Sequence, residues 1–300
     1  MKTNTLIARL SVIVAFLIVL CGNFAVLIHY QPIGLQTVSN ERPADNKVLP
    51  ADISAVTKDL PTGFREQLEQ SLQNKPKTGY SDEEKAAIKK FYSESAFVGD
   101  SLLVAYRQYL QKNDPDGYFA KSTILCAFSY STRAVLKPVT PDSLHPFYKG
   151  KKRQVWDAIK EAKSKRVFII FWANEIPDAN IQKANKNLEK VVSKLRAECP
   201  GIEIYIISPC YMYKNTYRTD KTDHINNPNL HALALSRKEF CLKNSAGYVE
   251  VSKYLGNEKD GLYEKYTSDK FVHVNNAAYD IWKQVFIDYA LGREPDIKTT

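Results

Sequence analysis

The sequence predicts a three-layer α/β sandwich, in which one parallel sheet lies between two layers of helices. Two observations lead to this fold class. Strand-like and helix-like segments alternate along the chain from about residue 81 to residue 292. The strand-like segments 167–171 and 204–207 are continuously apolar, which is typical of parallel strands that are covered by helices on both faces. The composition, with 44% hydrophobic and 25% charged residues, is that of an ordinary globular domain.

The first predicted element of this domain is a helix that opens at a capping box. Ser81 can cap the helix start, and Glu84, three residues further on, can reach back to it before an amphipathic stretch that runs through about Tyr92. Strands and helices then alternate. The predicted strands are 96–98, 123–128, 166–172, 202–208 and 248–251, and the predicted helices are 102–110, 154–162, 181–198, 229–243 and 276–291.

The N-terminal region, 1–30, differs in composition from the rest of the chain. Lys2 and Arg9 precede residues 10–28, which carry no charge. At about 1.5 Å per helical residue, such a run can cross a hydrocarbon core of about 30 Å. We therefore predict an uncleaved anchor in the cell membrane, with a cleaved signal peptide and a secreted protein as the alternative. Positive charge before the span predicts that the rest of the chain lies outside the membrane.

The remaining organisation follows from proline content and polarity. Residues 31–80 contain five prolines and many polar residues, which is typical of a stalk rather than of a packed domain. The compact domain is predicted over 81–292, and residues 293–300 form a short polar tail.

The charge, the cysteines and the histidines limit the partners and cofactors. The net charge is +9, but acids separate most of the basic residues and no aromatic-basic motif occurs, so we do not predict a nucleic-acid partner. The positive net charge is still consistent with attraction of the protein to an anionic membrane or cell-wall polymer. The five cysteines show no Cys-x-x-Cys spacing; Cys126 and Cys210 are expected to be buried, and a pair between Cys199 and Cys241 is left open. The histidines lack ligand spacing, so we predict no metal and no cofactor.

Four polar residues are predicted at the carboxyl edge of the sheet, where open α/β proteins hold their ligands. Ser101 ends a Gly-Asp-Ser turn between a strand and a helix, Asn174 follows a later strand, and Asp269 and His273 precede the last helix. A serine nucleophile needs a base, the base needs an orienting carboxylate, and the oxyanion needs fixed donors. Taken singly, Ser101 could be a helix cap, Asn174 a loop cap and His273 a half-buried structural residue. Taken together, they form a set for acyl transfer.

The short sequence segments, or blocks, that carry these four residues follow one another along the chain in an order that resembles the SGNH or GDSL-type esterases and acetylhydrolases. The resemblance covers about residues 91–291. The resemblance, to bacterial members with a membrane anchor, implies a flavodoxin-like sheet and a Ser-His-Asp site without a Gly-x-Ser-x-Gly elbow. It implies that Ser101 is the nucleophile and a backbone oxyanion donor, and that His273 is the general base. Asp269 would then orient His273, and the side chain of Asn174 would be a second oxyanion donor.

The sequence departs from the family pattern in the oxyanion and acid blocks. No glycine follows the second strand, so the further backbone donor would be the N–H of Ala127 or of Phe128. Three residues separate Asp269 from His273, where two are usual in the family. This spacing leaves open whether Asp269 completes a triad or whether Ser101 and His273 act as a pair.

Four further residues are predicted to line the substrate pocket. Trp172 and Glu175 flank Asn174 at positions where glycine and aspartate are usual in the family, and a bulky Trp172 would narrow the pocket. Tyr211 and Tyr213 follow another strand end, where aromatic rings could stack on a sugar.

The sequence thus leads us to expect a serine esterase outside the cytoplasm that removes short acyl groups, above all O-acetyl, from a glycan or cell-wall polymer through an acyl-enzyme. Two alternatives stay open at this point. The same scaffold could pass the acyl group to a sugar hydroxyl as an O-acyltransferase. The altered blocks could instead belong to a catalytically silent relative that binds glycan or serves as a scaffold.

Overall fold

The computed structural model describes residues 79–176, 180–214, 224–295 and 297. The predicted anchor, 1–30, and all but the last two residues of the predicted stalk, 31–80, lie outside this part of the chain. Among the helices that are described, none is long and apolar enough to cross a membrane.

The central sheet consists of five parallel strands. The strands of the described residues, in chain order, are β1 (Ser95–Gly99), β2 (Thr123–Cys126), β3 (Phe147–Tyr148), β4 (Lys151–Lys152), β5 (Arg166–Ile170), β6 (Glu203–Ile207), β7 (Gly247–Val249), β8 (Gly256–Asn257) and β9 (Gly261–Leu262). The central sheet has the order β2-β1-β5-β6-β7, and all its neighbours pair in parallel. Counted among its own strands this is the order 2-1-3-4-5 of flavodoxin-like folds, so the predicted fold class is confirmed.

The helices follow the predicted pattern closely. They are α1 (Asp82–Ser93), α2 (Ser101–Asn113), α3 (Thr132–Val135), α4 (Val155–Ala162), α5 (Ile181–Glu198), α6 (Asn227–Lys243) and α7 (Asn276–Ala290). The capping box at the start of α1 is formed as predicted: the Ser81 hydroxyl accepts from the Glu84 N–H at 3.2 Å, and the Glu84 carboxylate accepts from the Ser81 N–H at 2.8 Å.

Alternating side chains of the strands build a separate apolar core on each face of the sheet. On one face Phe97 of β1 stacks on Phe168 of β5, with ring centroids 4.9 Å apart, and α1, α2 and α7 cover them. On the other face Val98 and Ile169 pack against α4 and α5, and α6 packs against α5. Because both faces are covered, the edges of the sheet remain the places where polar side chains can meet a ligand.

The close approach of β1 to β5 requires glycine at position 99. A Cβ atom on Gly99 would lie 2.6 Å from the Ile170 Cγ2 and 2.8 Å from the Ile170 carbonyl oxygen. The two strands are therefore in close contact at their carboxyl ends, next to the loops that follow them in the chain. In a sheet of this order, the chain reverses direction across the sheet between these two strands, and ligands bind beside that point.

The structure also contains short elements that the sequence did not predict. The hairpins β3-β4 and β8-β9 and the single turn α3 are too short to show a period of hydrophobic residues. The predicted strand 123–128 ends early, at Cys126, because the chain turns at Ser129, whose φ is +56°. The four described cysteines are buried and free, so Cys199 and Cys241 do not form the pair that was left open.

Candidate active site

Ser101 and His273 meet at the carboxyl end of β1. Ser101 is the first residue of α2, directly after Asp100, which caps the helix with its side chain. Its Oγ lies 3.2 Å from Nε2 of His273, which is carried by the segment before α7. This distance suits a hydrogen bond in which the hydroxyl donates to a neutral imidazole. Two residues that are 172 positions apart in the chain are therefore within proton-transfer distance.

Asp269 reaches the other nitrogen of the same ring. Its Oδ2 lies 2.6 Å from Nδ1 of His273, and its Oδ1 accepts from the N–H groups of Phe271 at 2.8 Å and His273 at 3.1 Å. Lys270, one of the three residues between Asp269 and His273, adopts a left-handed conformation with a φ of +52°. The structure thus brings together Ser101, His273 and Asp269 in one hydrogen-bonded row.

The environment of Asp269 favours its charged form. Burial by itself raises the pKa of this carboxyl, but the hydrogen bonds from the His273 ring and from the two backbone N–H groups outweigh it, so the pKa lies below its ordinary value. A carboxylate beside Nδ1 stabilises the imidazolium that forms when His273 takes a proton. The row is open to solvent, since the side chains of His273 and Asp269 are 44% and 35% exposed.

Asn174 lies at the carboxyl end of β5, in a 3₁₀ turn over Ala173–Glu175. Its Nδ2 donates to Oδ2 of Asp100 at 3.2 Å. The same carboxylate accepts from the N–H of Trp172 at 3.3 Å and from that of Leu102 at 3.1 Å. Asp100 thus ties the end of β5 to the start of α2. An amide nitrogen carries two hydrogens, so Asn174 keeps a second N–H that the bond to Asp100 does not use.

Asp100 is fully buried, and its ionisation is correspondingly costly. Burial raises the pKa of this carboxyl to about 6, although the hydrogen bonds from Leu102, Asn174 and Trp172 act against the shift. Its three bonds to the surrounding backbone and amide indicate a structural role for Asp100 rather than that of a proton carrier.

We expect the stability of the wild type, relative to an Asp100→Asn variant, to decrease as the pH rises from 4 to 7. The unfolded chain loses the Asp100 proton near pH 4, whereas the folded chain holds it up to about pH 6, so stability is lost between these values. The shift corresponds to about 3 kcal/mol. Urea denaturation of both proteins at pH 4, 5.5 and 7 measures it. A difference between the two proteins that stays constant over this range would contradict the assignment.

The two backbone N–H groups that were predicted as alternative oxyanion donors, those of Ala127 and Phe128, differ in their hydrogen bonding in the structure. The N–H of Ala127 donates to the carbonyl of Gly99 at 3.3 Å, so it continues the β1-β2 pairing and is not available to a substrate. The prediction for Ala127 is therefore wrong. Within the described part of the chain, no acceptor faces the N–H of Phe128. The N–H of Ser101 belongs to the first turn of α2 and has no intrahelical acceptor.

Trp172 and Glu175, which were predicted to line the substrate pocket, are both buried, and Glu175 borders only a small cavity of about 10 Å³ beside Asn174. Trp172 is 1% exposed and its indole N–H donates to the carbonyl of Cys210. Glu175, with a side chain only 1% exposed, pairs with the buried Arg237 at 3.1 Å. It also accepts from the backbone N–H and the hydroxyl of Thr132, each at 2.7 Å. Both residues hold the loops of the site in place from inside the core.

Tyr211 and Tyr213 have different surroundings. Tyr213 is buried, and its N–H donates to the carbonyl of Phe271 at 2.7 Å, which ties its segment to the loop of Asp269 and His273. Tyr211 lines a cleft of about 280 Å³ on the β7 side of the sheet, and its hydroxyl lies 2.9 Å from Nδ1 of His231.

Sequence reasoning missed the partners that hold this site together, of which Arg237 is the clearest. A signal for it was present, because Arg237 lies between Leu233 and Phe240 on the buried stripe of α6. A charged residue at such a position is rarely buried without a partner of opposite charge.

Fold and site together define a three-layer α/β protein with a Ser-His-Asp row at the reversal point of its sheet. No protein-family profile and no curated protein sequence matches this chain. Among solved structures, a GDSL-like lipase from Bacteroides thetaiotaomicron is similar, with 15% identity and a TM-score of 0.50, over 70% of this chain and 95% of that one.

Two further solved structures align less well. One is a lipase/acylhydrolase from Enterococcus faecalis, with 13% identity and a TM-score of 0.44, over 68% of this chain and 99% of that one. The other is a carbohydrate acetylesterase family member from Sinorhizobium meliloti, with 14% identity and a TM-score of 0.45, over 66% of this chain and 99% of that one. At such sequence identities, structural similarity shows only that the folds are alike. The comparison of folds therefore relies on the GDSL-like lipase, whose TM-score is the highest of the three.

Proposed function

We propose that this chain is a serine esterase of the SGNH or GDSL type, a carboxylic ester hydrolase. The observation that carries the proposal is the hydrogen-bonded row Ser101, His273 and Asp269. The fold that the chain shares with a GDSL-like lipase supports it. No other arrangement in the described residues joins a hydroxyl, an imidazole and a carboxylate at the reversal point of the sheet.

The proposed reaction begins with attack by Ser101. His273 takes the proton from Oγ through Nε2 as Oγ bonds to the carbonyl carbon of the ester, and Asp269 stabilises the resulting imidazolium. When the tetrahedral intermediate collapses, the alcohol leaves with the proton from His273, and the acyl group remains on Ser101. Water then attacks this ester with His273 as base, which releases the acid and restores the hydroxyl.

Three donors are proposed to stabilise the oxyanion of the tetrahedral intermediate. They are the N–H of Ser101, the N–H of Phe128 and the free hydrogen of the Asn174 amide. Because Asp100 holds this amide through its other hydrogen, the donor is fixed before the substrate binds. Losing one fixed donor typically costs on the order of 100- to 1000-fold in turnover.

The proposed substrate is a glycan or cell-wall polymer that carries short acyl groups, above all O-acetyl. The open position of His273 and Asp269 supports a large substrate, because it allows a chain to pass across the row. The net charge of +9 supports a site of action near an anionic surface. We further propose that residues 1–30 anchor the chain in the cell membrane with the catalytic domain outside.

Hydrolysis of p-nitrophenyl acetate and release of acetate from an O-acetylated oligosaccharide test this function in the full chain. We expect turnover of both, and none by a Ser101→Ala variant. Ser93→Ala, which removes an exposed hydroxyl at the end of α1, is the matched control and should keep full activity. A folded chain that hydrolyses neither ester would overturn the esterase proposal and favour a silent relative. Acetyl transfer to an added acceptor sugar would identify the O-acyltransferase instead.

A further inference from the structure

A concave site lies on the β7 side of the sheet. The cleft of about 280 Å³ is formed between α6 and the hairpin β8-β9. Its walls include three tyrosines, one histidine and one asparagine, namely Tyr211, Tyr248, Tyr263, His231 and Asn257. The volume is close to the lower end of that of small-molecule sites, about 300 Å³.

The side chains of the cleft suit a ligand with both apolar and hydroxyl surfaces. The rings of Tyr211 and His231 lie nearly parallel, at 18°, and the Tyr211 hydroxyl is joined to His231 Nδ1. Asn257 Nδ2 donates to the hydroxyl of Tyr263 at 3.2 Å and to Oδ2 of Asp260 at 2.9 Å, so it holds the Tyr263 hydroxyl in place. A hydroxyl fixed in this way, next to the partly exposed rings of Tyr248 and Tyr263, can bond to the hydroxyls of a sugar while the rings pack on its C–H faces.

The charges around the cleft indicate a neutral ligand. Lys238 and Lys253 line it together with Glu250, and Glu258 lies 3.6 Å from Nε2 of His231. Glu294 also lies 4.0 Å from the Lys253 ammonium group, so the two ammonium groups are matched by at least as many carboxylates. A site for a phosphate or a polyanion would carry an excess of positive charge, which this cleft lacks.

Hydrogen bonds connect the cleft to the Ser101 row over a short path. Tyr213, two residues beyond Tyr211, donates to the carbonyl of Phe271, and His273 follows two residues later. Each two-residue step spans at most about 7 Å. Including the side chains, Tyr211 therefore lies within about 30 Å of the Ser101 hydroxyl, a span that an oligosaccharide can cover.

We propose that this cleft is a subsite for an uncharged sugar unit of the polymer whose ester is cleaved at Ser101. The subsite holds the chain at a distance from the reacting bond and thereby favours polymers over small esters. Its role in catalysis rests on the proposed function, whereas its binding of a neutral sugar can be measured without any turnover.

Titration calorimetry of the full chain with two neutral probes that carry no O-acetyl group, xylotetraose and tetra-N-acetylchitotetraose, tests the subsite. Ala234 lines the cleft from α6, so Ala234→Trp should fill it and weaken binding of the preferred probe at least tenfold. Leu242→Trp is the matched control, because Leu242 lies on the same helix, is 82% exposed and is outside the cleft; it should bind as the wild type does. If Ala234→Trp fails to fold, Tyr263→Phe, which removes a hydroxyl from the cleft, takes its place with the same expectation.

Two results would overturn the subsite: no binding of either probe by the wild type, or equal binding by the filled and the control variants. The outcome is separate from that of the esterase proposal. Sugar binding by a chain that hydrolyses no ester would leave the subsite standing and remove the esterase. Hydrolysis of p-nitrophenyl acetate without sugar binding would do the reverse.

Discussion

Replacement of His273 by alanine is expected to lower kcat for p-nitrophenyl acetate by a factor on the order of 10⁶. Its Nε2 is placed to accept the proton of Ser101, at 3.2 Å from Oγ. Without this base the hydroxyl stays a weak nucleophile, and the leaving alcohol receives no proton. Stopped-flow or overnight hydrolysis assays of the purified full chain cover the range of rates that this comparison needs.

Two controls separate a lost base from a disturbed fold. Added imidazole should restore part of the activity of His273→Ala, because the variant leaves room for a free ring at the surface. Asp269→Asn should cost about 10⁴-fold, because the amide favours the wrong tautomer of His273 while the geometry persists. An Asp269→Asn variant with wild-type turnover would show that Ser101 and His273 act as a pair, and a fully active His273→Ala variant would refute the mechanism.

The largest expected loss of stability comes from Arg237→Ala. Arg237 and Glu175 form an ion pair whose side chains are 3% and 1% exposed. Arg237 also donates to the Asn185 side chain at 3.1 Å. Removing the guanidinium leaves the Glu175 carboxylate buried without its counter-charge, so we expect the free energy of unfolding to fall by about 3–5 kcal/mol. Urea denaturation at pH 7 measures this difference.

The matched control replaces both partners. Arg237→Met with Glu175→Gln removes the two charges together and should cost less than the sum of the single changes, because no lone charge stays in the core. If the double variant cost the full sum of the two single changes, or if Arg237→Ala cost less than about 1 kcal/mol, the pair would not hold the loops after β2 and β5.

The fold could be predicted because its main signals are local. Continuous apolar strands such as β5 and β6 predicted a sheet that is covered on both faces, and the capping residues Ser81 and Glu84 marked the start of α1. Such signals depend on a few neighbouring residues and survive in a single sequence. The short hairpins left no comparable pattern.

The site could be predicted only in its outline. The order of the sequence blocks allowed Ser101, His273 and Asp269 to be predicted. The Ala127 amide was wrongly predicted, because a single sequence does not show which backbone groups pair between strands. The same holds for Trp172, whose indole bonds to a carbonyl in a distant loop, and for Glu175, whose partner lies 62 positions away. A polar residue beside the site gave no indication of whether it faces the substrate or the core.

The most direct test of the account is the position at which a fluorophosphonate attaches to the full chain. Treated protein would be digested and the modified peptide sequenced by mass spectrometry, with Ser101→Ala treated in parallel. The account predicts one phosphonylated residue, Ser101, and an unlabelled variant. A folded wild type that takes up no label, or that carries it at another residue, would contradict the assignment of Ser101 as the nucleophile.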